Sequence, residues 1–210
     1  MRATSANRTI AFLWDWAKTL SVAFIIWLAV KSVVVEAFHI PSGSMENTLL
    51  IGDVLYVNKM LYGAGVPLIH KRLPAFRDPR RLDIVVFRSV TEEGLTIVKR
   101  VIGVPGDTVA MRDNTIYLNG LPLSEPYVIK THPERADHKN FSSVVVPQDS
   151  FLVMGDNRDD SMDSRFWGFL GRDRIIGAPL VIYYSWNPDG ILPLPFVTAI
   201  RWDRLLTRPK

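Results

Sequence analysis

Two serines flank a glycine in Ser42-Gly43-Ser44-Met45, directly downstream of the longest apolar stretch of the chain. A serine hydroxyl is a poor nucleophile until a neighbouring base takes its proton. Histidine is the usual base, and the chain has His39, His70, His132 and His138. The last three fall in polar loops, His39 lies at the end of the apolar stretch, and none has an orienting carboxylate beside it. A Ser-His-Asp triad is therefore unsupported. Lysine is the other candidate, and Lys99 stands out within Thr96-Ile97-Val98-Lys99-Arg100-Val101-Ile102. Side chains alternate along a strand, so Lys99 shares a face with Ile97 and Val101, and Arg100 shares the other with Val98 and Ile102. Both faces are apolar, and alternation leaves open which basic residue is buried. Only the lysine can lose its proton. Burial lowers a lysine pKa by as much as about three to five units. The commoner fate of a lysine is to reach solvent, where it stays charged.

A third cluster is Gly155-Asp156-Asn157-Arg158-Asp159-Asp160-Ser161-Met162-Asp163-Ser164-Arg165. Its acidic spacing invites comparison with a calcium loop. Arg158 falls at a ligand position and no glycine follows at the turn, so that reading is rejected. The remaining readings are a polar loop cross-braced by Asp–Arg pairs, or a braced loop that holds a hydroxyl still for chemistry. Ser161 and Ser164 are available for the second.

These groups need a scaffold. Residues 20–35 are apolar except for Ser21, Lys31 and Ser32. As a helix they reach about 24 Å, slightly short of a hydrocarbon core of roughly 30 Å. Lys31 can snorkel, and Trp27 suits an interface. A cleavable leader is the competing reading, with Arg2 and Arg8 as its basic region. The charges close to the run, Asp15 and Lys18, favour an uncleaved anchor. Arg2, Arg8 and Lys18 precede it, which puts the N-terminus in the cytoplasm by the positive-inside rule. With Cys 0, disulfides, thiol catalysis and thiolate metal sites are excluded. The net charge of +4 is dispersed, unlike a nucleic-acid-binding stripe, although Lys71-Arg72 and Arg80-Arg81 suit anionic lipid.

Downstream, short β-like runs alternate with turn signals: residues 54–57, 83–87, 96–102, 115–118, 143–146, 151–154 and 180–186. Pro105-Gly106-Asp107 and Asn119-Gly120 mark turns, the second a hairpin. The loop 63–79 is expected to be exposed and mobile, 130–142 to be a polar loop, and 190–200 to form a final strand or an interfacial contact. The fold class is mainly β: an antiparallel catalytic core with a small inserted β domain, preceded by one N-terminal transmembrane helix. The expected divisions are a cytoplasmic N-terminus (1–18), the anchor (19–36), the first part of the core (37–107), the inserted domain (108–148), and the second part of the core with a C-terminal tail (149–210).

Together, Pro41-Ser42-Gly43-Ser44-Met45, Gly52-Asp53, Asp83-Ile84-Val85-Val86-Phe87, the run Lys99 to Asp107, and Gly155-Asp156-Asn157-Arg158 through Ser161, Asp163 and Arg165 to Trp167-Gly168 resemble bacterial type I signal peptidases. These are membrane-bound serine proteases that remove signal peptides from exported proteins. The resemblance implies that Ser44 is the nucleophile and Lys99 the neutral general base. Ser161 would aim the amine, and the Ser42 hydroxyl with the Ser44 N–H would form the oxyanion hole. Gly155, Asp156, Arg158, Asp163 and Arg165 would support that loop, and Arg100 would be structural. The family often has proline where this chain has Asn47, a departure expected to loosen the turn. The implied partners are signal-peptide-bearing preproteins and membrane lipid, with translocation machinery possible and no nucleic acid. No metal or organic cofactor is implied. The implied location is the bacterial inner membrane, single-pass, with the catalytic domain on the periplasmic face. A soluble Ser-Lys repressor-type protease fits an anchored chain poorly. A conjugation-system processing peptidase fits it better, and a non-enzymatic β adaptor would need neither Ser44 nor Lys99.

Overall fold

The computed structural model describes residues 5–63, 65–66, 71–131, 140–189 and 198–209. It opens with a helix, α1 (Ser5–Val33), whose Ile10–Leu28 segment is 19 residues long, has a mean hydropathy of 1.4 and is nowhere buried by the protein. Its length of about 28 Å matches a bilayer core. This segment lies closer to the N-terminus than the expected 19–36 span. Asp15 and Lys18, the charges that precede the apolar run in sequence, lie one turn apart and pair at 3.5 Å. Apolar residues from Ile10 to Trp16 can thus extend the span past them. At the other end Val33, Val34 and Val35 are all β-branched, which favours an extended backbone over a helix. Val34 alone separates α1 from the first strand.

The strands are β1 (Val35–His39), β2 (Asp53–Asn58), β3 (Gly65–Val66), β4 (Lys71–Arg72), β5 (Ile84–Arg88), β6 (Thr96–Gly103), β7 (Thr108–Arg112), β8 (Thr115–Leu118), β9 (Leu121–Pro122), β10 (Phe141–Val145), β11 (Ser150–Met154), β12 (Leu170–Gly171) and β13 (Ile175–Ser185). A one-turn helix, α2 (Ser164–Trp167), follows β11. An antiparallel sheet runs in the order β1-β2-β13-β5-β6-β11-β12, and a second runs β10-β7-β8-β9. The second lies, in sequence, between β6 and β11 of the first. Asn119 and Gly120, at φ 52° and 84°, turn β8 into β9 with Leu118 opposite Leu121, as the Asn-Gly signal predicts.

Successive residues of β5 enter different cores. Ile84 and Val86 pack with Met45, Leu49, Leu55 and Val98. Val85 and Phe87 pack with Tyr62, Val101, Phe151 and Leu170. A sheet covered on both faces has no polar side, so β5 and β6 show no apolar–polar alternation: Ile84–Phe87 is an unbroken apolar run, and from Ile97 to Ile102 β6 is apolar on both faces apart from Lys99 and Arg100. A third cluster of Ile102, Val109, Met111, Ile116, Leu152 and Met154 joins the two sheets.

β6 is asymmetric. Along one edge β5 pairs with it from Thr96 to Arg100. Along the other, β11 pairs with Arg100, Val101 and Gly103. Among the described residues, 96–99 therefore have no strand partner on that second edge.

Of the expected loops, 132–139 and 190–197 lie outside the described residues, as do Ala64 and 67–70. The remainder of 63–79 is tethered: the Arg72 guanidinium donates to the carbonyl oxygens of Gly63, Arg172, Asp173 and Ile175.

The C-terminal segment holds the chain beneath the serine turn. Arg204 donates to both carboxylate oxygens of fully buried Asp53, at 3.1 and 2.6 Å, and to the Thr48 carbonyl at 3.0 Å. Asp53 also accepts from the Leu50 N–H at 2.9 Å. Removing one partner of such a pair strands a buried charge, which costs about 3–5 kcal/mol when both partners are fully buried. Arg204 is partly exposed, so Arg204→Ala should lose about 3 kcal/mol in urea unfolding, the low end of that range. An unchanged midpoint would refute the clamp.

Candidate active site

Residues Gly43–Met45 form a single 3₁₀ turn after extended Ser42. Met45 and Leu49, both buried, sink the turn into the first core. The Glu46 N–H donates to Gly43 O at 2.9 Å, and the Leu49 N–H to Met45 O at 2.7 Å. Ser44 is thus fixed at the rim of the core, 8% exposed. Ser42 Oγ lies 3.4 Å from Ser44 Oγ.

Lys99 is 3% exposed and opposes Val85 across β5 and β6. Its Nζ donates to Ser44 Oγ at 2.5 Å. Burial lowers its pKa to about 8. Asp163, Asp156 and Asp160 pull it upward and Arg165 pushes it down, but loss of water outweighs the carboxylates. That displacement corresponds to about 3 kcal/mol against the ammonium. Arg100 is buried on the opposite face. It grips Asp156 with Nε at 2.9 Å and Nη2 at 2.6 Å, and lies over the Tyr127 ring at 4.0 Å. The alternation that left two basic residues unresolved is settled by burial of both.

The loop after β11 is braced by ion pairs. Arg165 donates to both oxygens of Asp163 at 2.8 Å, and also to the Arg158 carbonyl at 2.7 Å. Burial pushes the Asp163 carboxyl up. The hydrogen bond and charge of Arg165 and the donors Ser161 and Gly155 N–H outweigh it and hold the carboxyl below its usual range. Arg158 reaches Gly155 O at 3.1 Å and clasps Glu125 with both terminal nitrogens. Thr48 Oγ1 donates to Asp156 Oδ2 at 2.5 Å. Ser161 shares a groove with Lys99, but its hydroxyl donates to Asp163 Oδ2 at 2.6 Å. The hydrogen bond of the lysine amine runs to Ser44 instead. Ser164 caps the other side, accepting from the Val153 N–H at 2.9 Å.

Gly155 is required by proximity. A Cβ there would lie 2.3 Å from Ser161 Oγ and 2.4 Å from Ser44 O. The loop and the serine turn thus meet backbone against backbone.

Asn47 does not loosen the turn. It adopts φ 82°, which proline cannot, and its Nδ2 donates to Tyr127 O at 3.1 Å. His39 stacks on Trp186 at 4.9 Å rather than bonding the serine. His70, His132 and His138 lie outside the described residues. Sequence reasoning gave no role to Thr48, Glu125, Tyr127 or Asn157. Asn157 was visible inside the acidic cluster. Glu125 and Tyr127 carry no local signal, because their partners are distant in sequence.

A groove of about 730 Å³ runs past Ser42, Ser44, Lys99, Ser161, Met162 and Trp167. A small, mostly apolar pocket that also reaches Ser42 and Ser44 is lined by Phe38, Ile40, Met45, Ile97 and Val98. A serine hydroxyl hydrogen-bonded to a buried amine, in a groove beside an open strand edge, is an arrangement in which a neutral amine can take the hydroxyl proton. The family model described as "Signal peptidase, peptidase S26" matches residues 13–184. Signal peptidase I of Leptolyngbya laminosa is 36% identical over 200 residues, covering 92% of this chain and 90% of that protein. Signal peptidase I of Pseudomonas aeruginosa is 32% identical over 215 residues, covering 86% and 76% respectively. Signal peptidase I T of Bacillus subtilis is 34% identical over 190 residues, covering 88% and 91%. The chain belongs to the signal peptidase family, peptidase S26; it is a serine peptidase, anchored to a membrane by α1.

Gly155→Ala would force Ser44 and Ser161 apart. Preprotein cleavage should fall at least about tenfold, with a stability loss of about 1–3 kcal/mol from overpacking. Wild-type turnover in that variant would show that the two segments tolerate separation.

Proposed function

We propose that this protein removes N-terminal signal peptides from exported preproteins by a Ser44–Lys99 dyad. The observation that carries the reading is the 2.5 Å hydrogen bond between the Lys99 amine and the Ser44 hydroxyl in a buried site.

Neutral Lys99 takes the Ser44 proton as Oγ attacks the scissile carbonyl carbon. The resulting oxyanion is held by the Ser42 hydroxyl and the Ser44 N–H, each such donor typically being worth a few kcal/mol. The Lys99 ammonium then protonates the departing amine of the mature protein, leaving an ester on Ser44. Water, deprotonated by Lys99, attacks that ester and releases the signal peptide as a carboxylic acid. Ser161 has committed its proton to Asp163, which keeps its oxygen free to accept from Lys99 and aim the amine lone pair. Asp163 with Arg165, Asp156 with Arg100, Arg158 and Gly155 hold that loop.

The substrate adds as an extended strand along the free edge of residues 96–99, where backbone groups supply affinity. The pocket beside Ser44, lined by Phe38, Ile40, Met45, Ile97 and Val98, selects alanine-like side chains before the cut. The second sheet, within 108–148, is the inserted domain. The N-terminus, with Arg2 and Arg8, lies in the cytoplasm, and the catalytic domain stands on the outer face of the bacterial inner membrane. Membrane lipid surrounds α1, and translocation machinery delivers the preprotein.

Lys99→Ala and Ser44→Ala should each lower cleavage of a model preprotein by the detergent-solubilised protein by about a thousandfold or more, with the fold intact. Retained turnover in either variant would end the dyad assignment. The active form is the neutral amine, so kcat/KM should rise with pH, about tenfold per unit below pH 8, and level off above it. A flat profile from about pH 6 to about pH 9 would contradict Lys99 as the base.

A further inference from the structure

The oxyanion donor assigned above, the Ser44 N–H, belongs to the same planar peptide unit as the Gly43 carbonyl. Whatever holds that carbonyl also sets the direction of the N–H. Two donors converge on it: the Glu46 N–H at 2.9 Å and the Asn157 Nδ2 at 3.3 Å. The backbone N–H of Asn157 donates to the next carbonyl, Ser44 O, at 3.1 Å. One residue therefore grips both peptide planes that flank the nucleophile. Asn157 is 1% exposed, and its amide orientation follows from its surroundings. The nitrogen faces two acceptors, Gly43 O and, at 3.4 Å, Glu46 Oε2, while the oxygen accepts from Thr131 Oγ1 at 3.0 Å.

Thr131 lies in the segment that returns from the β9 end of the second sheet. Around it the Ile129 N–H donates to Asp156 O at 3.0 Å, and the Arg158 N–H donates to Ile129 O at 3.1 Å. Tyr127 O accepts from Asn47 at 3.1 Å. Residues 125–131 thus touch both the serine turn and the loop that carries Ser161.

We propose that Asn157 is a positioning residue for the Ser44 peptide planes, and that Thr131, from the segment after β9, fixes its amide. The proposal rests on Ser44 being the nucleophile. A donor on the Gly43 carbonyl polarises that peptide as well as orienting it, so the effect belongs to the transition state, when charge appears on the substrate oxygen. Asn157→Ala should lower kcat about tenfold to a hundredfold and leave KM within about twofold. Affinity for a peptide aldehyde, which forms a tetrahedral adduct on Ser44, should fall in parallel with kcat. Thr131→Val should lower kcat about threefold, and should have no further effect when combined with Asn157→Ala.

With Ser44→Ala as the zero line, the readings separate. Turnover in Ser44→Ala would overturn the dyad. An inactive Ser44→Ala beside a fully active Asn157→Ala would overturn this proposal alone, as would additive effects of the two substitutions. If Asn157→Ala fails to fold, Thr131→Val decides the matter from an exposed position, and an unchanged kcat there overturns the proposal.

Discussion

An amine without water around it resists taking a proton, and the site is arranged around that resistance at Lys99. The difficulty is that fixing the amine and its serine calls for a polar loop, and that loop brings carboxylates. Asp163 pulls the Lys99 pKa upward, against the effect of burial. Arg165 opposes that pull by taking both carboxylate oxygens at 2.8 Å and by adding its own positive charge nearby. Burial then decides the protonation of Lys99, because the opposing charge has already been claimed. On the proposed dyad, charge balance in the loop is thus part of base activation, not only of architecture.

The same logic explains why the site spends three buried Arg–carboxylate pairs, Arg100 with Asp156, Arg158 with Glu125 and Arg165 with Asp163. Buried pairs return little net stability, since each ion must be stripped of water. What they give is direction. A guanidinium fork and a carboxylate meet in a few geometries only. Three such joints around residues 155–165 leave that loop little freedom to drift from the serine turn.

Most of this was legible in outline. β5, β6, β8 and β11 showed as apolar runs, and the Asn119-Gly120 hairpin followed from left-handed turn chemistry. β1 was hidden because Val35 continues the apolar anchor without a break, so periodicity could not mark where helix gave way to strand. β3, β9 and β12 are two residues each, too short to carry a pattern. At the site, Ser44, Lys99 and the acidic cluster could be named from residue type. The direction of Lys99 could not, because β6 is apolar on both faces and only its position between two cores decides burial. Asn157 was overlooked for a related reason: its significance lies in carbonyl groups 114 positions away, and backbone acceptors leave no mark in a sequence. Asn47 stands where a proline was expected, and its left-handed backbone and bond to Tyr127 hold the turn from outside rather than by ring stiffness.

The passage from α1 to β1 through Val34 alone has a mechanical consequence. A one-residue connection leaves the sheets little reach from the end of α1, so the groove stays close to where the anchor ends. On the proposed function, encounter with a preprotein held in the same bilayer would become a two-dimensional search at nearly constant elevation. On that same proposal, a scissile bond carried too high or too low by its own hydrophobic segment would pass the groove uncut, and the short joint would gauge substrate geometry before any side chain is read.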